Sequence, residues 1–351
     1  MKNDIYQVAL IGYGGIGCGH HAPKISSTER IDIAGVYDID PEKNRQAARD
    51  GYKVYDSFGQ AIKDTDVDII LIATPNHHHK DLAIRAMEAG KNVICEKPVM
   101  LNSEELQVVL DVAEKTGKLF VVHQNRRWDP DFLIIKNIYE SHEIGKVFNI
   151  ETRAQGSRGI PGDWRKYAEF GGGMMLDWGV HLIDRLLWMI PEKVKKVFCE
   201  LSYILEEDCD DGLKMKLFFE SGLTAIVEVC TTNFDTLPQW YVNGTTGACI
   251  INDWNLNGRI TKLLTYEGNE SKPIVAGVGL TKTMAPRDES TVSFNKLPNV
   301  QSDVRDFYRN VINYLDGKED IIVKNSEVMR VMRLFDCAKK SHELCQVLDF
   351  E

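Results

Sequence analysis

Residues 5–11, Ile-Tyr-Gln-Val-Ala-Leu-Ile, read as a buried strand, and Gly12-Tyr13-Gly14-Gly15-Ile16-Gly17 follows at once, ahead of a helix expected to run to about Ser26. No other feature constrains the fold as much. A strand that feeds a helix through glycines at this spacing needs Gly12 for a tight turn, Gly14 for close backbone approach to a pyrophosphate and Gly17 for close helix–strand packing. Gly15 and Ile16 then lie where the helix begins, with free N–H groups and the positive end of the helix dipole toward bound phosphates.

A second strand, residues 31–37, ends at Asp38, which lies 21 residues beyond Gly17. An acidic side chain there accepts hydrogen bonds from ribose hydroxyls. It also repels a 2′-phosphate, and Ile39, Asp40 and Pro41 supply no arginine, so NAD is expected over NADP. Asp40 is better placed than Asp38 to cap the helix that starts at Pro41. Further strands are expected over 67–73, 92–95 and 118–123, with helices between them. This alternation predicts a doubly wound parallel sheet of the Rossmann kind, an α/β unit. The Thr74-Pro75-Asn76 loop, His79 just beyond it, and Glu96-Lys97-Pro98 all fall at the carboxyl ends of strands, where such sheets gather ligands. The His77-His78-His79 tract has no acidic or cysteine partners nearby in sequence and reads as loop and helix-start residues, so no metal is expected.

The chain of 351 residues is long enough for two cores, and 43% hydrophobic with 27% charged residues is ordinary globular composition. A formal charge of −10 argues against nucleic acid or an anionic membrane as the main partner. The apolar runs are too short or too interrupted to span a bilayer. Eight scattered cysteines without a CxxC pair, and a first strand reached without a signal-peptide pattern, predict a cytoplasmic protein with reduced thiols.

From about Asn125 the rhythm changes. One helix over 132–139 precedes strand-like segments at 146–155, 194–203, 213–220, 223–232, 239–242 and 248–252, several alternating apolar and polar residues as an antiparallel sheet with one covered face does. Two domains are expected, 1–124 for the dinucleotide and 125–351 for the substrate and oligomer contacts. Within the second, Gly171-Gly172-Gly173 precedes Asp177 and His181. On a helix over 174–190 that pair shares a face, one turn apart. The bare glycines are expected to form a platform that a flat ring can approach.

In order, Gly12-x-Gly14-x-x-Gly17 with His20, Ala73-Thr74-Pro75-Asn76 with His79, Glu96-Lys97-Pro98, Asn125-Arg126-Arg127-Trp128-Asp129-Pro130, and Gly171-Gly172-Gly173 with Asp177, Gly179, His181 and Asp184 resemble the glucose–fructose oxidoreductase/inositol dehydrogenase/rhizopine-catabolism (Gfo/Idh/MocA) family over nearly the whole chain. The resemblance implies an α+β C-terminal domain with a large open sheet used for homodimer or homotetramer contacts, and closing helices that return to the first domain. It implies that Lys97 points at the nicotinamide and a substrate oxygen from a turn often held by a cis peptide. Asp177 positions a hydroxyl and shares in proton transfer, and His181 is the general base.

The expected activity is NAD-dependent oxidation of a secondary alcohol on a sugar, cyclitol or glycoside. His181 takes the hydroxyl proton, Lys97 steadies the developing charge, and Asp177 fixes orientation and tunes the histidine. The candidate substrate residues are Lys97, Arg127, Arg158, Trp164, Arg165, Asp177 and His181. Trp164 is placed to stack on a sugar ring, and the arginines either bind polar substituents or form internal ion pairs. Alternatives within the same resemblance are an NAD-assisted glycoside hydrolase and a cofactor-sensing regulatory protein. Imine or enone reduction fits the polar, arginine-bearing loop less well.

Overall fold

The computed structural model describes residues 4–267 and 272–351, so parts of both expected domains (residues 1–3 and 268–271) lie outside the described residues. Strands β1 (Tyr6–Ile11), β2 (Ile31–Tyr37), β3 (Ile69–Ile72), β4 (Asn92–Cys95) and β5 (Phe120–Val122) form one parallel sheet in the order β2-β1-β3-β4-β5. β3 and β5 are buried along their whole length, as strands covered on both faces must be. A single parallel bridge between Val36 and Val54 extends the β2 edge, in place of a full sixth strand. The chain leaves β1 toward β2 and returns on the other side of β1 as β3. The crevice beyond the carboxyl ends of β1 and β3 is therefore the sheet's switch point, where ligands of such folds lie.

Helices α1 (Ala22–Ser26), α2 (Pro41–Arg49), α3 (Phe58–Lys63), α4 (His79–Glu88) and α5 (Ser103–Thr116) connect these strands. Asp40 caps α2, accepting the Glu42 N–H at 2.8 Å, and so leaves Asp38 free for another role.

After α6 (Pro130–Glu140) the chain builds a nine-stranded sheet from β6 (Val147–Gln155), β7 (Val194–Ser202), β8 (Gly212–Phe219), β9 (Thr224–Cys230), β10 (Trp240–Gly244), β11 (Gly247–Ile251), β12 (Gly258–Leu263), β15 (Val292–Asn295) and β16 (Leu348–Asp349). The strands β13 (Ile274–Ala276) and β14 (Gly279–Thr281) pair only with each other. In the large sheet β6 and β9 run parallel and the other neighbours antiparallel, so the C-terminal sheet is mixed and mostly antiparallel. Strict alternation of buried and half-buried residues along β9 matches a sheet with one covered face.

The covering helices are α7 (Val180–Met189) and α9 (Asn325–Leu344), with α8 (Asp306–Leu315) before the latter. Ser341 of α9 accepts the Cys199 N–H of β7 at 3.0 Å, while Asp336 of α9 accepts the Ser103 N–H that opens α5 at 3.1 Å. Asp316, just after α8, accepts the Tyr6 hydroxyl of β1 at 3.0 Å. The closing helices thus bind both sheets together. The eight cysteines are free thiols, and no helix among the described residues is long and apolar enough to cross a membrane.

Candidate active site

Gly12 has φ +97°, and a Cβ there would lie 2.5 Å from the Ala73 carbonyl oxygen, while one at Gly17 would lie 2.2 Å from the Gly12 oxygen. Both positions exclude a side chain. At Gly14 and Gly15 a Cβ would meet nothing within 4 Å, because these residues face an open cleft of about 670 Å³. The helix after them opens with a π turn, Gly17–His21. The residues fit a dinucleotide phosphate: bare backbone at Gly14 and Gly15, with Ile16 beside them, and the first N–H groups of a helix border the space.

Asp38 lines the same cleft. Its carboxylate accepts the Tyr13 N–H at 2.6 Å and the Asp40 N–H at 2.9 Å, which hold it against the glycine loop with lone pairs to spare. Thr74, Pro75, Asn76, Glu96 and Lys97 continue the wall, and Asp177, Trp164 and Arg165 complete it from the second sheet's side.

At that far end Lys97, which precedes a cis Pro98, places Nζ 3.1 Å from Asp177 Oδ1 and 3.0 Å from the Asp177 carbonyl oxygen. Arg165 Nε stands 3.3 Å from the same Oδ1, and its Nη1 pairs with Asp163 at 2.7 Å. Burial alone would raise the Asp177 carboxyl; the two cations outweigh it and hold it below the ordinary range. The Arg165 guanidinium also stacks 4.7 Å from the Trp164 ring.

His181 is 5% exposed and is not among the residues that line the cleft, and its Nδ1 is buried with no partner among the described residues. Burial, then the charges of Lys97, Arg126 and Arg185, hold its imidazole well below its usual range, so the ring is neutral. The Asp177 carboxylate, expected to tune His181, is held by Lys97 and Arg165, and the Lys97 charge acts on both Asp177 and His181.

Several expectations are corrected. The three glycines are buried and are not a platform: Cβ atoms at Gly171, Gly172 and Gly173 would fall 2.5 Å from Leu101, 2.3 Å from the Arg165 carbonyl and 2.2 Å from Asp210. They let protein approach protein. Asn76 reaches across to donate to the Gly171 oxygen at 2.7 Å, tying the first sheet's loop to the second unit. The helix expected from 174 opens as a π turn, Met175–Gly179, before α7, and Asp210 caps its start, its Oδ2 accepting the Met175 N–H at 2.7 Å.

His79, expected at the cofactor, is fully buried, with Nε2 2.9 Å from the Thr74 oxygen and Nδ1 3.1 Å from the Pro98 oxygen. It braces the two loops that do line the cleft. Arg127, expected at the substrate, is 1% exposed and forks onto Asp184 at 2.8 and 2.7 Å, with Glu327 at 2.7 Å. Arg158 is exposed and does not line the cleft.

Sequence reasoning missed what surrounds Glu96. His21 Nε2 and His123 Nδ1 lie 2.8 and 2.7 Å from its Oε1, Tyr308 sits 2.8 Å from His21 Nδ1, and the Lys97 N–H donates to its Oε2 at 2.9 Å. His21, Glu96 and His123 are a group of metal-type donors among the described residues, but their facing atoms are already spent on one another. The sequence signals were the paired His20-His21 beside the fingerprint and His123 at the end of the strand expected over 118–123. Arg126 stacks 4.3 Å over Trp178 and 5.4 Å over Trp254.

A switch-point cleft with a phosphate loop at one end and a lysine–carboxylate pair at the other defines a dinucleotide-dependent oxidoreductase. A family model described as an oxidoreductase family with an NAD-binding Rossmann fold matches residues 6–124, and a GFO/IDH/MocA C-terminal domain model matches residues 132–250. The chain belongs to the Gfo/Idh/MocA oxidoreductase family. The crystal structure of an NAD-binding protein from Listeria innocua is 46% identical, covers 99% of each chain and superposes with a TM-score of 0.94. Inositol 2-dehydrogenase of Salmonella paratyphi B is 28% identical over 65% of this chain and 69% of its own. A scyllo-inositol 2-dehydrogenase (NADP(+)) of Bacillus subtilis is 23% identical over 97% of this chain and 94% of its own.

Proposed function

We propose that this protein oxidises a secondary alcohol of a cyclitol, sugar or glycoside, reversibly and with NAD. The observation that carries the reading is Lys97 held on Asp177 at the end of a cleft whose other end is the Gly12–Gly17 loop with Asp38. A nicotinamide dinucleotide bound along it supplies the hydride acceptor.

Lys97, with Asp177 neutralising it in the resting site, can turn its ammonium to the substrate oxygen and stabilise charge that grows there. Asp177 accepts a neighbouring hydroxyl and fixes the ring. His181, kept neutral by its surroundings, takes the hydroxyl proton. Trp164 offers a stacking face and Arg165 a donor to ring hydroxyls. Asp38 favours NAD over NADP by repelling a 2′-phosphate, although one relative is named for NADP(+). Inositol dehydrogenases among the relatives favour a cyclitol as first substrate to try.

The two domains we infer are 1–124 for the cofactor and 125–351 for the substrate, with self-association through the second sheet. The test is reduction of NAD and NADP against a panel of inositols, aldoses and glucosides. Net NADH formation with one of them supports the reading. Sugar release without net NADH would instead make the protein a hydrolase, and binding of NAD without turnover of any panel member would favour a sensor.

A further inference from the structure

Glu96 is a buried carboxylate in a chain of donors that the proposed chemistry does not use. It receives the Lys97 N–H on Oε2 and both His21 and His123 on Oε1. None of these three donors is a lysine or arginine side chain. An ionised carboxylate only accepts, so His21 Nε2 and His123 Nδ1 each carry a proton toward it. Burial holds the His21 imidazole below its usual range, so the ring is neutral and its Nδ1 accepts from the Tyr308 hydroxyl at 2.8 Å. His123 Nε2 is buried with no hydrogen-bond partner among the described residues, so an N–H there would be stranded away from any acceptor.

His20, beside both rings at centroid distances of 5.5 and 5.3 Å, brings no counter-charge either. Burial pushes its imidazole down to about 4. Burial opposes ionisation of the Glu96 carboxyl, but three hydrogen bonds donated to its oxygens, by His21, His123 and the Lys97 N–H, favour the charged form. The other charges at this end of the cleft pair off, Lys97 with Asp177 and Arg165 with Asp163 and Asp177. One negative charge is left over, and Glu96 borders the cleft.

We propose that Glu96, held ionised by His21, His123 and Tyr308, makes the cleft bind the oxidised dinucleotide in preference to the reduced one. The inference rests on the proposed function, which puts the nicotinamide at the Lys97 end. An oxidised nicotinamide carries a positive charge that the reduced ring lacks. A fixed, buried carboxylate near it therefore attracts one form and not the other, at an effective dielectric well below that of water.

The experiment is calorimetric titration of the full chain with NAD+ and NADH, and with NADP+ and NADPH, without substrate. Glu96→Gln keeps the shape and an acceptor oxygen while removing the charge. Its expected effect is about tenfold weaker binding of the oxidised form with the reduced form unchanged within about twofold. Equal weakening of both forms would show that Glu96 only shapes the turn and would overturn the proposal. If Glu96→Gln does not fold, His20→Arg decides, because it leaves Glu96 and its donors in place and adds a permanent cation beside them. It must lower the preference for the oxidised form, and an unchanged preference overturns the proposal. A wild-type chain that binds neither form of either dinucleotide would sink the proposed function as well. Binding of both forms with no charge-dependent difference sinks this inference alone.

Discussion

Lys97 Nζ lies 3.1 Å from Asp177 Oδ1, although 80 residues separate the two in sequence, and this contact joins the parallel sheet to the second unit at the cleft's end. Each partner is about one-seventh exposed, with side-chain accessibilities of 16% and 13%. The pair is dry enough for its charges to count and open enough to meet a ligand.

Replacing Lys97 by Met should lower kcat by about 10²–10³-fold, the usual cost of removing one preorganised donor at a developing oxyanion. Dinucleotide binding, measured separately by titration, should change little. A variant with near-normal turnover would remove Lys97 from the chemistry.

His181→Ala should cost about 10²–10⁴ in kcat, the range for loss of a general base. The base must be neutral, and the folded-state pKa of His181 lies well below 6.5. The competent form therefore persists as pH falls through 6.5, and the acid limb of kcat/KM should lie below that pH. An acid limb at or above it would assign the base elsewhere.

Asp38→Ala should raise the KM for NAD about tenfold through loss of charged hydrogen bonds to ribose, and should narrow the gap to NADP. Steady-state kinetics with both cofactors reads this directly. An unchanged ratio would mean that Asp38 serves only the Tyr13 and Asp40 amides.

Arg127→Met should destabilise the fold by about 3–5 kcal/mol, because it strands the buried Asp184 carboxylate. Urea unfolding measures it. The surviving folded enzyme should keep its substrate KM, which a substrate-binding arginine would not allow.

Asp210, which anchors the π turn ahead of α7, has its carboxyl raised by burial to about 6, against the hydrogen bonds of the Met175 and Met174 amides. A raised acid contributes stability that is complete below its unfolded pKa and lost as pH rises through the folded one. Unfolding free energy should therefore fall by up to about 3 kcal/mol between about pH 4 and pH 7 on account of this group. Asp210→Asn should flatten that slope, and an unchanged slope would dismiss the assignment.

The parallel sheet was legible because its signals are local. Each buried strand is a short apolar run, and the glycine spacing at Gly12 and Gly17 answers to contacts within one strand–turn–helix unit. Asp40 as the cap of α2 could be read for the same reason. β12 escaped because only Ile260 in it is buried, so it carries little apolar pattern, and the edge strands β15 and β16 because they are short.

The candidate site divides along the same line. Sequence by itself determined which residue types stand at strand ends and helix starts: the phosphate loop, Asp38, Lys97, Asp177 and His181. Only the tertiary structure decided what each touches. It turned Arg127 inward onto Asp184 and His79 onto two loop carbonyls, and it filled the glycine run with Asn76, Arg165 and Asp210. It also closed a ring of donors around Glu96 from four segments spanning His21 to Tyr308. The physical reason is that a backbone preference is set by near neighbours, whereas the partner of a buried charge comes from whichever element packs against it. That choice is written into the packing of α7, α8 and α9 rather than into any local stretch of chain.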